Sequence, residues 1–193
     1  MKVLQVLLLL IGLFVLLLLL GGGCVLQGYN KAIALNEAVD NAWSEVENQL
    51  QRRYDLIPNL VETVKGVAKQ EKDVFLGIAK AREAYFQAKT PDEKIAAAGD
   101  VERALSRLLL LREAYPELRS NEAFLKLQDQ IEGTENRLTV ARQRYNDQVR
   151  QLNTFVRQFP GRFFAALAGV GPREYFEIEA EAAQRPNVDF SGE

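Results

Sequence analysis

The sequence has no histidine, one cysteine and only four serines (Ser44, Ser106, Ser120 and Ser191) among its 193 residues. Without imidazole, Ser-His-Asp and Cys-His catalysis are excluded, as are histidine-based zinc and iron sites. The lone cysteine, Cys24, permits neither an intrachain disulfide nor a thiolate cluster. A formal net charge of −2 lacks the basic excess of a nucleic-acid binder. These absences remove most catalytic chemistries, so the expectation is a chain that is not an enzyme and takes no metal or cofactor. What remains is ordinary: 48% apolar and 26% charged residues, in a length that suits one domain.

Charge is missing altogether from Val3 to Asn30, and Val6–Leu20 is apolar apart from Gly12. A helix over Val3–Leu26 would be about 36 Å long, enough to cross a hydrocarbon core of roughly 30 Å. Two membrane readings are open. One is an uncleaved anchor that spans the bilayer once. The other is a lipoprotein signal, in which Cys24 is lipidated. The order Leu20-Gly21-Gly22-Gly23-Cys24 supplies the small residues of such a signal but puts Gly21 where leucine is usual. The anchor is therefore preferred, with Cys24 as an apolar member of the span. Lys2 and the N-terminal amine precede the span, while only Lys31 lies within the next fifteen residues. With the short N-terminal tail, this gives a slight preference for an N-terminus in the cytoplasm and the rest of the chain outside.

Glycine and proline are scarce after the apolar segment. Between Tyr29 and Phe159 the glycines are Gly66, Gly77, Gly99 and Gly133, and the prolines are Pro58, Pro91 and Pro116. The prolines divide the region into four segments of helical period, and no stretch alternates as a strand would. The first carries Leu35, Val39, Ala42, Val46 and Leu50. The second runs from Ile57 through Val64, Glu71, Phe75 and Ile78 to Tyr85. The third carries Ile95, Ala98, Leu105 and Leu108. The fourth and longest runs from Phe124 through Ile131, Leu138, Tyr145 and Leu152 to Phe159. Asp55 is positioned to cap a helix opening at Leu56-Ile57-Pro58, with a proline-kinked continuous helix as the alternative. Thr90-Pro91 with Glu93 is a capping-box pattern, and Ser120-Asn121-Glu122 offers a cap for the last segment. The expected fold is all-α: an N-terminal membrane-spanning helix followed by an antiparallel up-and-down four-helix bundle with long helices. The expected division is residues 1–28 as anchor, 29–160 as bundle, and 161–193 as a C-terminal extension with a short helix and tail.

The residues carry a resemblance. Asn36, Ala42-Trp43, the block Arg52-Arg53-Tyr54-Asp55-Leu56-Ile57-Pro58-Asn59-Leu60-Val61 and Val64-Lys65-Gly66 resemble the bacterial LemA family. So do Glu71, Phe75, Ala81-Arg82, Tyr115-Pro116-Glu117-Leu118, Phe124-Leu125-Lys126-Leu127, Glu135-Asn136-Arg137, Arg142, Tyr145-Asn146, Val149, Asn153 and Phe159-Pro160. The closing Pro186-Asn187-Val188-Asp189-Phe190 also resembles the family's tail. Val67 and Gln70 depart from it, standing where an aromatic and a histidine are frequent. The resemblance implies an N-terminally anchored helical bundle of poorly defined function and brings no catalytic set.

Several residues stand out as candidates for interaction or structure. Arg52, Arg53 and Asp55, followed by Pro58, read either as charge set against a helix C-terminus and a turn held by ion pairs, or as a docking point. Asn59, Lys65, Glu71 and Arg82 in the second segment, and Glu135, Asn136 and Arg142 in the fourth, occupy or flank the inward stripe. Buried charge is costly alone, so these residues are expected to form a paired layer that fixes helix register. Tyr145, with Asn146 beside it, reads as a core aromatic. Glu71 and Glu135 as metal ligands would need the Glu-x-x-His pairs that this chain cannot supply. Arg162, Phe163, Phe164 and Leu167, after Phe159-Pro160, form an apolar run flanked by cations. It reads either as a short helix packed on the bundle or as a membrane contact, with Arg157, Arg162 and Arg173 facing head groups.

The sequence therefore leads to a membrane-anchored helical bundle of the bacterial cell envelope. Its role is interaction or scaffolding, its protein partner and oligomeric state are not legible, and no nucleic acid is implied. A ligand- or lipid-binding bundle is the alternative, which a hydrophobic cavity between helices would favour.

Overall fold

The computed structural model describes residues 2–177, and every regular element among them is helical. The helices are α1 (Lys2–Tyr54), α2 (Ile57–Val67), α3 (Lys72–Gln87), α4 (Pro91–Ala114), α5 (Pro116–Arg119), α6 (Glu122–Arg157) and α7 (Gly161–Leu167). The family-like tail at Pro186–Phe190 lies outside the described residues. Two compact units are present: residues 2–42 with 144–174, and residues 43–143 with 175–177.

The first unit holds the apolar half of α1. The side chains described between Leu10 and Leu20 are exposed, and this helix is long and apolar enough to cross a membrane. The same helix continues without a break into Ala32 and Val39, which are buried. Val149 and Leu152 of α6 are fully buried in this unit as well, and α7 contributes Phe164 and Ala165.

The second unit has an apolar core built at helical spacing. Val46, Leu50 and Tyr54 of α1 lie on one face; Ile57, Leu60 and Val64 supply α2; Val101, Leu105 and Leu108 supply α4; and Phe124, Ile131 and Leu138 supply α6. Steps of three and four place such residues on one side of each helix.

The break between α1 and α2 follows from Pro58. A continuous helix would need an N–H on residue 58 to reach the carbonyl of Tyr54, and proline has none. The chain turns at Asp55 and Leu56, and the freed Tyr54 carbonyl accepts a hydrogen bond from Arg82 Nε at 3.1 Å. A turn, not a kink, therefore separates the helices. The sequence expected Asp55 to cap α2, but Leu56 holds the N-cap position with no side-chain hydrogen bond. Asp55 instead lies 3.6 Å from Arg82 Nη2.

The second segment, expected as one helix, is two. Ala68 closes α2 with φ −106° and ψ 56°, and Glu71 opens α3. The carboxylate of Glu71 accepts a hydrogen bond from the Tyr115 hydroxyl at 2.8 Å, which ties the interruption to the start of α5. The same contact holds the Tyr115 phenol above its ordinary pKa, since the neighbouring carboxylate opposes a phenolate.

At α4 the capping box forms in full. Glu93 N donates to Thr90 Oγ1, and Glu93 Oε2 accepts from the backbone N–H of Thr90 and of Lys89. Asn121 caps α6 by accepting from Phe124 N at 3.0 Å.

Candidate functional site

The densest polar arrangement of the second unit gathers at Arg53, which points inward and is 6% exposed. Its Nη2 lies 2.9 Å from Glu102 Oε2 of α4, and its Nη1 donates to Glu135 Oε2 of α6. Arg142, about two turns beyond Glu135 on the same helix, brings Nη1 to 3.8 Å from Glu135 Oε1. The guanidinium of Arg142 also lies 4.5 Å from the centre of the Phe176 ring, which stacks on Trp43 at 6.3 Å. Two cations meet two carboxylates, so the cluster is neutral, and each guanidinium has an opposite charge within reach. Burial pushes the Arg142 guanidinium below its ordinary pKa, and Glu102 opposes that shift.

Tyr54 and Tyr85 sit beside this cluster with rings edge to face at 4.8 Å. Burial raises both phenols well above the ordinary tyrosine range, with Glu102 adding to the effect at Tyr54 and Glu47 at Tyr85. Neither hydroxyl has a hydrogen-bond partner among the described residues. These phenols stay neutral and pack edge to face in the core.

The remaining sequence candidates are dispersed. Arg52 is exposed, as are Asp55, Pro58, Asn59 and Asn136. Asn59 and Asn136 thus do not join an inward layer; helix rotation places both on the solvent side of their stripes. Lys65 is also exposed, beside Glu62 at 3.2 Å. Glu71 and Arg82 serve helix ends rather than the layer. Arg52 and Arg137 share a shallow surface cleft of about 300 Å³ with Leu56, Gln130 and Thr134. A larger groove of about 470 Å³ between α3 and α4 is open on its outer side and rimmed by Asp73, Lys80, Asp100 and Arg107. Among the described residues no group of three or more histidine, cysteine, aspartate or glutamate side chains could hold a metal ion.

A separate network ties the C-terminal strap inside the first unit. Arg173 Nη2 donates to Asn36 Oδ1 and Asp40 Oδ1, both at 3.1 Å. Asn153 accepts from Arg173 N at 2.9 Å and donates to Arg173 O at 2.8 Å. The hydroxyl of Tyr145, buried on α6 next to the half-buried Asn146, donates to Glu174 O at 3.0 Å. Arg173 is therefore held by Asp40 rather than set facing head groups, as the sequence had suggested. Glu102 and Asp40 were missed as partners because a carboxylate flanking a stripe reads from sequence as a solvated face.

Phe164, expected among the membrane-facing residues, is buried at 7% exposure with its ring over Gly28 of α1. Phe163 and Leu167 are exposed, and so is Arg162. Phe159, expected as the last residue of the inward stripe, is 91% exposed: α6 ends at Arg157 and the chain turns before it.

An apolar N-terminal helix, a packed helical core and a self-neutralised polar cluster define a membrane-associated, all-helical protein. The chain belongs to the LemA family, whose model matches residues 42–190. It is similar to magnetosome proteins MamQ 1 and MamQ 2 of Paramagnetospirillum magneticum, each 23% identical over 190 residues, with 85% of this chain and 70% of the relative covered. It is also similar to magnetosome protein MamQ of Magnetospirillum gryphiswaldense, 22% identical with the same coverage.

Proposed function

We propose that the chain is a single-pass, membrane-anchored helical bundle that acts as a non-catalytic interaction module of the bacterial cell envelope. Its N-terminus lies in the cytoplasm and its packed helices lie outside, in an up-and-down arrangement. The observation that carries this reading is the continuity of α1: one unbroken helix supplies an exposed apolar segment and then residues such as Ala32 and Val39 that are buried in the first unit. A helix so shared couples anchor to domain without a flexible linker. The interior charges support the non-catalytic part, because Arg53, Glu102, Glu135 and Arg142 are used on one another. The open, charged rim of the α3–α4 groove does not favour a buried small-molecule ligand.

The docking point we favour is the cleft that holds Arg52 and Arg137, since exposed arginines beside apolar surface are common at protein interfaces. Photo-crosslinking residues placed at Arg52 and Arg137 in the full chain test it in intact cells. A discrete protein adduct from both positions is expected, with none from Lys69. Equal labelling at all three, or at none, overturns the assignment of this cleft.

A further inference from the structure

The short helix α7 is apolar on both sides, and only one side is packed. Gly161, Phe164 and Ala165 are buried in the first unit. Phe163 and Leu167, one turn apart, are 60% and 56% exposed, and Phe159, in the turn that precedes the helix, is 91% exposed. Seven residues reading Gly-Arg-Phe-Phe-Ala-Ala-Leu offer a single charged side chain, Arg162, to water. A helix apolar all round normally has an apolar medium on every side.

Its position supplies that medium. The Phe164 ring lies against Gly28 of α1, close enough that a Cβ there would come within 2.1 Å of it. Phe159 and Phe164 share a cleft of about 400 Å³ with Cys24 and Gln27 of the same helix. Phe155, near the end of α6, lies under Lys31 Nζ at 5.5 Å. The exposed aromatic stripe therefore sits beside the last turns of the apolar segment, where Leu26 is itself 65% exposed. Cys24 of the apolar segment and Phe159 line the same cleft. Exposed Arg157 and Arg162 flank the stripe, placing cations where anionic head groups would be.

The geometry points to a second membrane contact: Phe159, Phe163 and Leu167 insert into the interfacial zone of the bilayer that surrounds the protein's own anchor, with Arg157 and Arg162 at the head groups. This rests on the reading of α1 as a membrane span. The contact adds a foot beside the span, and the first unit is then held against rotation about the axis of α1. Phe164 is not part of the contact; it fastens α7 to α1.

The test uses the full chain with Cys24→Ser, carrying single cysteines in place of Leu13, Glu37 or Leu167, each labelled with an environment-sensitive dye. The protein is reconstituted into phosphatidylcholine–phosphatidylglycerol vesicles containing lipids with a nitroxide quencher near the head-group end of the acyl chain. Glu37 is the control, since it is exposed in the same unit and lies about 14 Å beyond Gly28 along α1. The dyes at 13 and 167 should be blue-shifted and quenched, and the dye at 37 neither. Quenching at 13 with emission at 167 matching that at 37 overturns the second contact and leaves the anchor standing. Loss of quenching at both 13 and 167 overturns the two together. Phe159→Ser with Phe163→Ser should restore emission at 167 while helix content by circular dichroism is unchanged. Quenching that survives the loss of both rings overturns the assignment to this stripe.

Discussion

Arg53 and Glu102 lie 2.9 Å apart although they come from helices separated by the whole of α2 and α3. Arg53 also reaches Glu135, but the two carboxylates differ in surroundings: the Glu102 side chain is 25% exposed and that of Glu135 is 41% exposed. Removing a partner from a buried guanidinium is expensive because the remaining charge has neither water nor a counter-ion.

That difference gives a ranking. Glu102→Leu should cost about 3 kcal/mol, the lower end for breaking a buried pair. Glu135→Leu should cost about 1 kcal/mol, because water screens a half-exposed pair and Arg53 keeps Glu102. Chemical unfolding of the full chain in detergent checks both. Equal losses, or a reversed order, would show that Arg53 does not rely on Glu102.

Tyr54 and Tyr85 lead to the opposite kind of expectation. Each hydroxyl is buried without a hydrogen-bond partner among the described residues, so each carries a desolvation cost. Tyr54→Phe and Tyr85→Phe keep the ring contacts and remove that cost. Thermal unfolding should show each variant as stable as the parent or more so, whereas Tyr54→Ala should lose about 3 kcal/mol or more, as large-to-small core changes do. A loss above about 1 kcal/mol for either phenylalanine would mean that its hydroxyl is bonded.

The pH dependence of α4 is open to the same treatment. Backbone N–H groups of Lys89 and Thr90 hold the Glu93 carboxyl below the ordinary glutamate range. A carboxylate whose folded pKa is depressed adds stability that is fully present above its unfolded pKa. It is lost as pH falls through the folded value. Unfolding midpoints measured from neutral pH down into the acid range should therefore fall less steeply in Glu93→Gln than in the parent, with the difference confined to pH values below about 4.5. Identical profiles would show that the box does not hold in solution.

How much of this was legible depends on which interactions are local. The capping box at Thr90-Glu93 is legible as a three-residue spacing and a cap for α6 as the cluster Ser120-Asn121-Glu122; the structure contains the box and places the second cap at Asn121. The apolar stripes were read from periodicity and mark the core through Leu50, Leu60, Leu105 and Leu138. The break at Ala68–Glu71 was invisible. No glycine or proline lies within it, and Ala68 and Phe75, both buried, are a heptad apart, so the stripe reads straight through the interruption. What stabilises that break is tertiary, the Tyr115 hydroxyl on Glu71. The partners of Arg53 and Arg173 were hidden for the same reason, since Glu102 and Asp40 meet them only after folding. The stripe also misplaced Phe159, because periodicity does not reveal where α6 stops.

The last prediction concerns glycines that look alike in sequence and differ in what surrounds them. In a helix interior, replacing glycine by alanine removes backbone freedom from the unfolded chain and is worth roughly 0.5–1 kcal/mol of stability. Gly66 and Gly133 have nothing within 4 Å of the position a Cβ would take. Gly133→Ala, inside α6, should gain about that amount, and Gly66→Ala, one residue from the end of α2, should gain less but lose nothing. At Gly28 the Cβ would lie 2.1 Å from the Phe164 ring, closer than any real contact. The ring is the main buried side chain of α7, so it cannot move aside without lifting that helix from α1. The resulting overpacking, typically about 1–3 kcal/mol, should outweigh the entropic gain and make Gly28→Ala a net loss. Combining it with Phe164→Ala removes the obstacle, so in that background Gly28→Ala should recover the ordinary gain of roughly 0.5–1 kcal/mol. Thermal unfolding of the four variants and the double variant decides the matter. A Gly28→Ala protein as stable as Gly66→Ala would place the Phe164 ring elsewhere and detach α7 from the anchor helix.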